Sequence, residues 1–236
     1  MLWIQNIYHK CIYLVNNLNN FFSKYIYIYI YIMSYYNKYI KYKYKYVNLR
    51  YQIIGGGKKN ILLTGVPGTG KSFALNKIVD ELKLKYDLIG LITLEILDKN
   101  ETRIGFKTSL VNDPEQKQQI AYLGSHENGT QLGKWTIYPD KLEKLLEQIT
   151  LKPKYIIIID EIAPMQIISE KFRKFVEKSL DSNNIVIGTI KLDDSNFEFI
   201  RDIKKRDDVN LIEMTLDNRN SVPKNVIDLV EELQKK

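Results

Sequence analysis

The sequence of 236 residues contains only one cysteine and two histidines, and this scarcity excludes several kinds of site. Cys11 has no partner cysteine within the chain, so neither a disulfide framework nor a zinc cluster is expected. His126 is the only histidine after residue 9, and nothing around it resembles the nucleophile elbow of a serine hydrolase. Chemistry must therefore come from carboxylates, lysine, arginine and a borrowed metal ion.

Acidic residues are missing from the first 59 positions, which carry nine lysines and arginines. The whole chain has a net charge of +7, so the remaining 177 residues carry a charge of −2. Thirteen of the seventeen tyrosines also lie before residue 60, some in the alternating Tyr-Ile repeat 25–32, which specifies no strand register. We therefore interpret residues 1–58 as a low-complexity basic leader, either disordered or a gene-model artefact upstream of an initiator at Met33, and residues 59–236 as the folded domain.

The leader is also the one place where nucleic acid is predicted to bind. Interleaved lysine and tyrosine at 38–46 are typical of segments that pair with phosphates and stack on bases, or that lie on anionic membrane surfaces. A solvated tail is the alternative interpretation. No transmembrane segment is predicted, because the apolar run 25–33 falls short of the roughly 20 residues needed. We expect a cytoplasmic protein whose oligomeric state the sequence does not indicate.

Three of the twelve glycines belong to one short motif, G-V-P-G-T-G-K-S at 65–72. An apolar run at 60–64 precedes it as a predicted strand, and residues 73–85 follow with helical spacing. Such a P-loop, or Walker A motif, binds phosphates with converging backbone N–H groups and the N-terminus of the helix. The residues expected to bind the triphosphate are Gly65, Val66, Pro67, Gly68, Thr69, Gly70, Lys71 and Ser72.

Strands and helices alternate along the rest of the domain, which predicts an α/β fold with a mostly parallel sheet and helices on both faces. A hairpin is predicted from 88–94 and 103–110, and the polar segment 112–134 is predicted to be loop with at most one short strand. Further strands are predicted at 135–138, 155–159, 184–188 and 210–215, and helices from 139, around 172, at 195–204 and at 223–233.

The strand at 155–159 ends in an acidic pair that we interpret as a Walker B motif. Ligands of open α/β sheets bind beyond the carboxyl ends of the strands, where Asp160 and Glu161 are expected. Asp160 and the Ser72 hydroxyl are predicted to bind Mg²⁺, while Lys71 reaches the β- and γ-phosphates. Glu161 would orient water as a general base. The stretch expected to line the cofactor is Ile159, Asp160, Glu161 and Ile162.

Several motifs in this order resemble a known family, the small nucleoside-triphosphatases first described in thermophiles, whose vertebrate member is the cancer-related nucleoside-triphosphatase. The resemblance covers about residues 59–234. Its motifs are the P-loop, Arg103-Ile-Gly-Phe106, Asp160-Glu-Ile162 with Met165, Phe172, Gly188-Thr-Ile190 and Asn218-Arg219.

The resemblance implies a RecA-like P-loop NTPase fold and Mg²⁺-dependent hydrolysis of ATP, GTP and other nucleoside triphosphates to diphosphate and phosphate. It also makes Arg219 the first candidate for an arginine that acts on the transition state, with an ordinary salt bridge as the alternative role. Ala163, Pro164 and Gln166 stand where the family usually has Gly, Lys and Glu. We expect this departure to affect turnover before binding.

Two other functions share the P-loop. A nucleotide or small-molecule kinase is the closest enzymatic alternative, although the five arginines of the domain are too widely spaced for an arginine-rich lid. A nucleotide-gated protein that binds nucleic acid through the leader is the second. A guanine-specific switch is disfavoured, because Ala163 stands where the D-x-x-G motif after Asp160 requires glycine.

Overall fold

Nine strands form one sheet in the computed structural model, which describes residues 58–235. The leader and every prediction made for it lie outside these residues, except for Lys58. The strands are β1 (Asn60–Thr64), β2 (Leu88–Leu97), β3 (Arg103–Leu110), β4 (Lys117–Leu123), β5 (Thr130–Leu132), β6 (Trp135–Ile137), β7 (Ile156–Ile162), β8 (Ile185–Ile190) and β9 (Val209–Glu213). The helices are α1 (Lys71–Leu82), α2 (Pro139–Leu146), α3 (Glu170–Asp181), α4 (Glu198–Lys205) and α5 (Val222–Leu233).

One half of the sheet is parallel and carries the motifs. Its strands lie in the order β2-β7-β8-β1-β9, so β8 separates the P-loop strand from the strand that ends in the acidic pair. Residues 156–159 of β7 are completely buried. Such continuous apolar runs form parallel strands because helices cover both faces. The predicted α/β fold is confirmed.

The other half of the sheet is antiparallel and continues from β2 in the order β3-β4-β6-β5. The predicted β2–β3 hairpin and the strand at 135–138 are confirmed. The prediction of loop at 112–134 with at most one short strand is wrong, because β4 and β5 both form there. β4 begins Lys-Gln-Gln, which are exposed or half-buried, and only Ile120 and Ala121 are buried. Polar residues can occupy such a strand because it is not covered on both faces.

The helices cover both faces of the parallel half. Leu142 of α2, Phe172 of α3 and Ile200 of α4 belong to one buried cluster with the side chains of Val186 and Ile190 on β8. Successive strand side chains point to opposite faces, so the other buried residues of β8 face the pair formed by α1 and α5. No helix within residues 58–235 is long and apolar enough to cross a bilayer.

Candidate active site

The P-loop connects β1 to α1 in a conformation that requires glycine. Gly65, Gly68 and Gly70 all have positive φ angles, of 145°, 85° and 90°. A Cβ atom on Gly65 would lie 2.5 Å from the carbonyl oxygen of Met214, so this position also excludes a side chain by contact. Gly70 is the N-cap of α1, and its carbonyl accepts the hydrogen bond of Ala74 N–H. The loop therefore presents backbone N–H groups at the start of a helix, where anions bind.

Lys71 is the first residue of α1 and folds back over the loop. Its ammonium group donates hydrogen bonds to the carbonyl oxygens of Gly65 at 2.9 Å and Val66 at 3.4 Å. Thr69 is buried, and its hydroxyl donates to the Val66 carbonyl at 2.9 Å. These bonds fix the loop from within and hold the positive charge of Lys71 above it.

Asp160 lies at the carboxyl end of β7 and is almost completely buried, with 3% of its surface exposed. The hydroxyl of Thr189, on β8, donates a hydrogen bond of 2.5 Å to Oδ1 of Asp160. Burial raises the pKa of Asp160 to about 7, and the hydrogen bond from Thr189 acts in the opposite direction. Thr93 of β2 donates to the backbone carbonyl of Asp160 at 2.6 Å. Neighbouring strands thus hold this residue from both sides.

Glu161 is the next residue and is half-buried. Burial raises the pKa of its carboxyl group, whereas the positive charges of Lys71 and Lys191 lower it. Lys191 directly follows β8, and its backbone N–H donates to the carbonyl of Ile162 at 3.1 Å. The carboxyl group of Glu161 is therefore influenced by two ammonium groups, one from the P-loop helix and one from the residue that follows β8.

The sheet brings the two motifs to the same edge. Leu63, next to the end of β1, pairs with Thr189 of β8, and Gly188 pairs with Ile159 of β7. Because neighbouring strands lie about 4.8 Å apart, β1 and β7 are separated by about 10 Å, a distance that a lysine side chain can largely span. The charge of Lys71 acts on both Asp160 and Glu161. The P-loop and the acidic pair thus follow strands that are two places apart in the sheet, and their joint role in nucleotide binding stays a prediction.

The remaining predicted site residues differ in exposure. Val66, Pro67, Gly68 and Ser72 are exposed at the open side of the loop. Ile159 and Ile162 are completely buried, so their side chains support the acidic pair from within the core and do not line a ligand surface. Arg219 is exposed in the turn after β9, and within residues 58–235 it forms no ion pair. The alternative role of Arg219 in a salt bridge therefore has no support in the described part of the chain.

Ser72 and Asp160 offer the hard oxygen ligands that Mg²⁺ prefers. In the region that the structure describes, no group of three or more histidine, cysteine, aspartate or glutamate residues could hold a metal ion. That fits Mg²⁺, which is commonly bound through one or two protein oxygens, substrate phosphates and water. The residues present are therefore compatible with Mg²⁺ held largely by the nucleotide.

Sequence reasoning missed the two threonines that hold Asp160. Thr189 belonged to a motif that carried the family resemblance, but its role was not assigned, and Thr93 was not singled out at all. A signal existed for Thr189, because a polar residue interrupts the apolar strand 185–190 at its carboxyl end. Thr93 gave none, since the second half of β2 alternates polar and apolar residues, and Thr93 does not stand out beside Glu95.

Comparison with known proteins decides the family. The family model described as NTPase matches residues 60–227. The chain belongs to this family. The predicted resemblance is thereby confirmed, and the NTPase match spans every element from β1 to the first half of α5.

Relatives and solved structures support the assignment to the NTPase family. The chain is 35% identical over 175 residues to the nucleoside-triphosphatase THEP1 of Thermotoga maritima, with 72% of this chain and 95% of the relative covered. It is 31% identical to THEP1 of Methanocaldococcus jannaschii, with 72% and 96% covered. The crystal structure of THEP1 from Aquifex aeolicus superposes with a TM-score of 0.61 at 26% identity, covering 73% of this chain and 99% of that one.

A solution structure of a human cancer-related nucleoside triphosphatase shares the fold. The TM-score is 0.62 at 23% identity, and 74% of this chain and 98% of the human chain are covered. Both structural neighbours support the predicted P-loop NTPase fold.

Proposed function

We propose that the chain hydrolyses nucleoside 5′-triphosphates with Mg²⁺, releasing the diphosphate and phosphate with little preference for the base. The observation that carries this proposal is the sheet register, which places the P-loop after β1 and the buried Asp160 with Glu161 at the carboxyl end of β7, two strands away. Relatives named nucleoside-triphosphatase THEP1 give it independent support.

The phosphate chain is bound by the P-loop. Backbone N–H groups of residues 66–72 and the N-terminus of α1 would hold its oxygens, and the Lys71 ammonium group would exchange its bonds with loop carbonyls for bonds to the β- and γ-phosphates. Ser72 and Asp160 would hold Mg²⁺, which neutralises phosphate charge when bound. Asp160 must be deprotonated for that role, and the positive charge of Lys71 favours loss of its proton.

Glu161 accounts for the hydrolytic step. The oxygen of a water molecule attacks the γ-phosphorus, the bond from that phosphorus to the bridging oxygen breaks, and the diphosphate leaves with the bonding electron pair. Glu161 orients the water and takes up its proton. Its raised pKa brings the carboxylate closer to the basicity that a general base needs near neutral pH.

The direct test is phosphate release from ATP, GTP, CTP and UTP by the full chain with Mg²⁺. We expect Lys71→Ala to lose both nucleotide binding and turnover, and Glu161→Gln to bind but turn over at least 100-fold more slowly, in the range of general-base effects. Glu177→Gln, the same change at an exposed position on α3, is the matched control. Consumption of ATP only with an added acceptor would instead indicate a kinase.

Two further predictions from the sequence are kept as part of this proposal. The cytoplasmic location is one, and binding of nucleic acid by the leader is the other. Removal of residues 1–58 tests the second: we expect turnover to persist, while any polyanion binding that depends on the leader is lost.

A further inference from the structure

Three exposed apolar side chains lie in the phosphate-binding loop, at the start of the helix after it, and in the turn after β9 that borders it. Phe73 directly follows Ser72 and is 75% exposed, Val66 is 54% exposed, and Leu216 is 67% exposed. Within residues 58–235 only one other large apolar side chain is more than half exposed, that of Leu84. Single apolar residues at a surface need no explanation, but their concentration at one site indicates a binding surface.

Phe73 is not needed for the packing of α1. The buried side chains of this helix are those of Ala74, Leu75, Ile78, Val79 and Leu82. The Phe73 ring is 75% exposed, so it does not contribute the hydrophobic stabilisation that its burial would give. An aromatic ring retained in water beside a ligand loop is therefore most simply explained by the ligand.

The turn that carries Leu216 is fixed beside the same loop. Met214 N–H donates to the Thr64 carbonyl at 2.7 Å, and the Met214 carbonyl borders Gly65. Asn218 then closes the turn: its Oδ1 accepts from Thr215 N–H at 2.9 Å, and its Nδ2 donates to the Glu213 carbonyl at 2.8 Å. The backbone on either side of Leu216 is thereby held in place at the rim of the P-loop.

We propose that the nucleobase of the bound nucleotide lies on an apolar surface formed by Phe73 and Leu216. This inference rests on the proposed function, because it requires the triphosphate to occupy the P-loop. The nucleoside is joined to the α-phosphate, so it leaves the loop near the start of α1, where Phe73 follows Ser72. An aromatic ring stacks on the face of any base.

This surface gives a physical reason for weak base preference. Neither Phe73 nor Leu216 has a side-chain hydrogen-bond donor or acceptor, so neither distinguishes an amino from a keto group on the base. Stacking is strongest for the larger purine rings and tolerates every base. The phosphate loop would then supply most of the affinity, and the apolar surface a contribution shared by all four nucleotides.

Inorganic tripolyphosphate has the phosphates but no base. It therefore distinguishes the loss of a contact with the base from damage to the phosphate site. On the full chain with Mg²⁺, we expect Phe73→Ala to lower kcat/KM for all four triphosphates about 10-fold, and more for purines, while turnover of tripolyphosphate stays within about twofold. Phe73→Tyr should retain nucleotide turnover. Leu216→Ala should give a smaller loss in the same direction. Leu84→Ala, an equally exposed position beyond the other end of α1, is the control and should change nothing.

A binding measurement keeps the test independent of turnover. In Phe73→Trp, we expect MgADP to quench the fluorescence of the new indole and magnesium pyrophosphate to leave it unchanged, since only the first brings a base. Three outcomes would overturn the inference. Phe73→Ala could lower kcat/KM equally for nucleotides and tripolyphosphate, or could change neither. In Phe73→Trp, MgADP and magnesium pyrophosphate could quench the fluorescence equally. If Lys71→Ala still hydrolysed nucleotides normally, the proposed function would fail instead.

Discussion

Thr189 donates a hydrogen bond of 2.5 Å to Oδ1 of Asp160, across the boundary between β8 and β7. The bond fixes the orientation of a carboxylate that is otherwise buried among apolar residues. It also leaves the second carboxylate oxygen for another partner. If Asp160 binds Mg²⁺ as proposed, Thr189 is a positioning residue for that ligand, and the loss of such a group commonly costs 10- to 100-fold in metal affinity.

We therefore predict that Thr189→Val raises the Mg²⁺ concentration needed for half-maximal phosphate release by about 10-fold. Valine has nearly the shape of threonine, so the change removes the hydroxyl while the strand keeps its packing. Thr189→Ser restores the donor and should recover most of the Mg²⁺ response. A merely structural role would leave that response unchanged and lower only the free energy of unfolding.

Gly65 and Met214 give a prediction about the loop itself. Gly65→Ala would place a Cβ atom 2.5 Å from the Met214 carbonyl oxygen at a φ of 145°, so both contact and backbone strain oppose it. We expect the free energy of unfolding to fall by about 3 kcal/mol. Gly68→Ala is the matched control: its Cβ would meet nothing within 4 Å, which leaves only the strain of a φ of 85°, about 1 kcal/mol. Urea denaturation measures the free energy of unfolding of both variants. Equal decreases in the two would contradict the argument from the contact with Met214.

The sequence predicted those parts of the site that lie within one continuous segment. The P-loop is a local motif, and residues 156–159 are an apolar run whose burial required only that helices cover both faces. Contacts between segments were harder to predict. The bond from Thr189 to Asp160 depends on which strands are neighbours, and the contact of Met214 with Gly65 depends on β9 lying beside β1.

The antiparallel half of the sheet shows a second limit of sequence reasoning. β4 was not predicted because its first three residues are polar, and its pairing with β3 and β6 comes from the neighbouring strands. A strand that is partly exposed has no continuous apolar run to reveal it. The formation of β4 therefore depends on pairing with neighbouring strands, whereas the hydrophobic pattern of the sequence was enough to predict β1, β7 and β8.

Arg219 supplies a prediction about catalysis. It is exposed in the turn held by Asn218, and no carboxylate pairs with it within residues 58–235. If it acts on the charge of the transition state, Arg219→Ala should lower kcat by about 1,000-fold with little change in KM, as for arginines that serve this role in other phosphoryl-transfer enzymes. Lys224→Ala removes an exposed charge nearby on α5 and should leave kcat within about twofold. A rise in KM with kcat unchanged would assign Arg219 to nucleotide binding.

The opposite edge of the sheet gives a prediction about stability and pH. Arg206 donates from Nε and from a terminal nitrogen to the two carboxylate oxygens of Asp208, both at 2.8 Å, and the Nδ2 of Asn60 donates to the same carboxylate at 2.9 Å. The hydrogen bonds from Arg206 hold the pKa of Asp208 below its usual value. An acid whose pKa is lowered by folding stabilises the fold above its unfolded pKa, near 3.9, and loses this contribution as the pH falls through its folded pKa.

Arg206→Gln should accordingly lower the free energy of unfolding by about 1 kcal/mol at pH 7, a modest value because the pair is partly open to solvent. The difference from the unmodified chain should be constant between pH 7 and about 5 and then shrink as the pH falls below about 4, since Asp208 becomes protonated in both proteins. Lys83→Gln, which breaks a more exposed ion pair with Asp80, should cost less than half as much between pH 5 and 7. Urea denaturation at a series of pH values measures both effects, and a difference that grew toward low pH would contradict the assignment to Asp208.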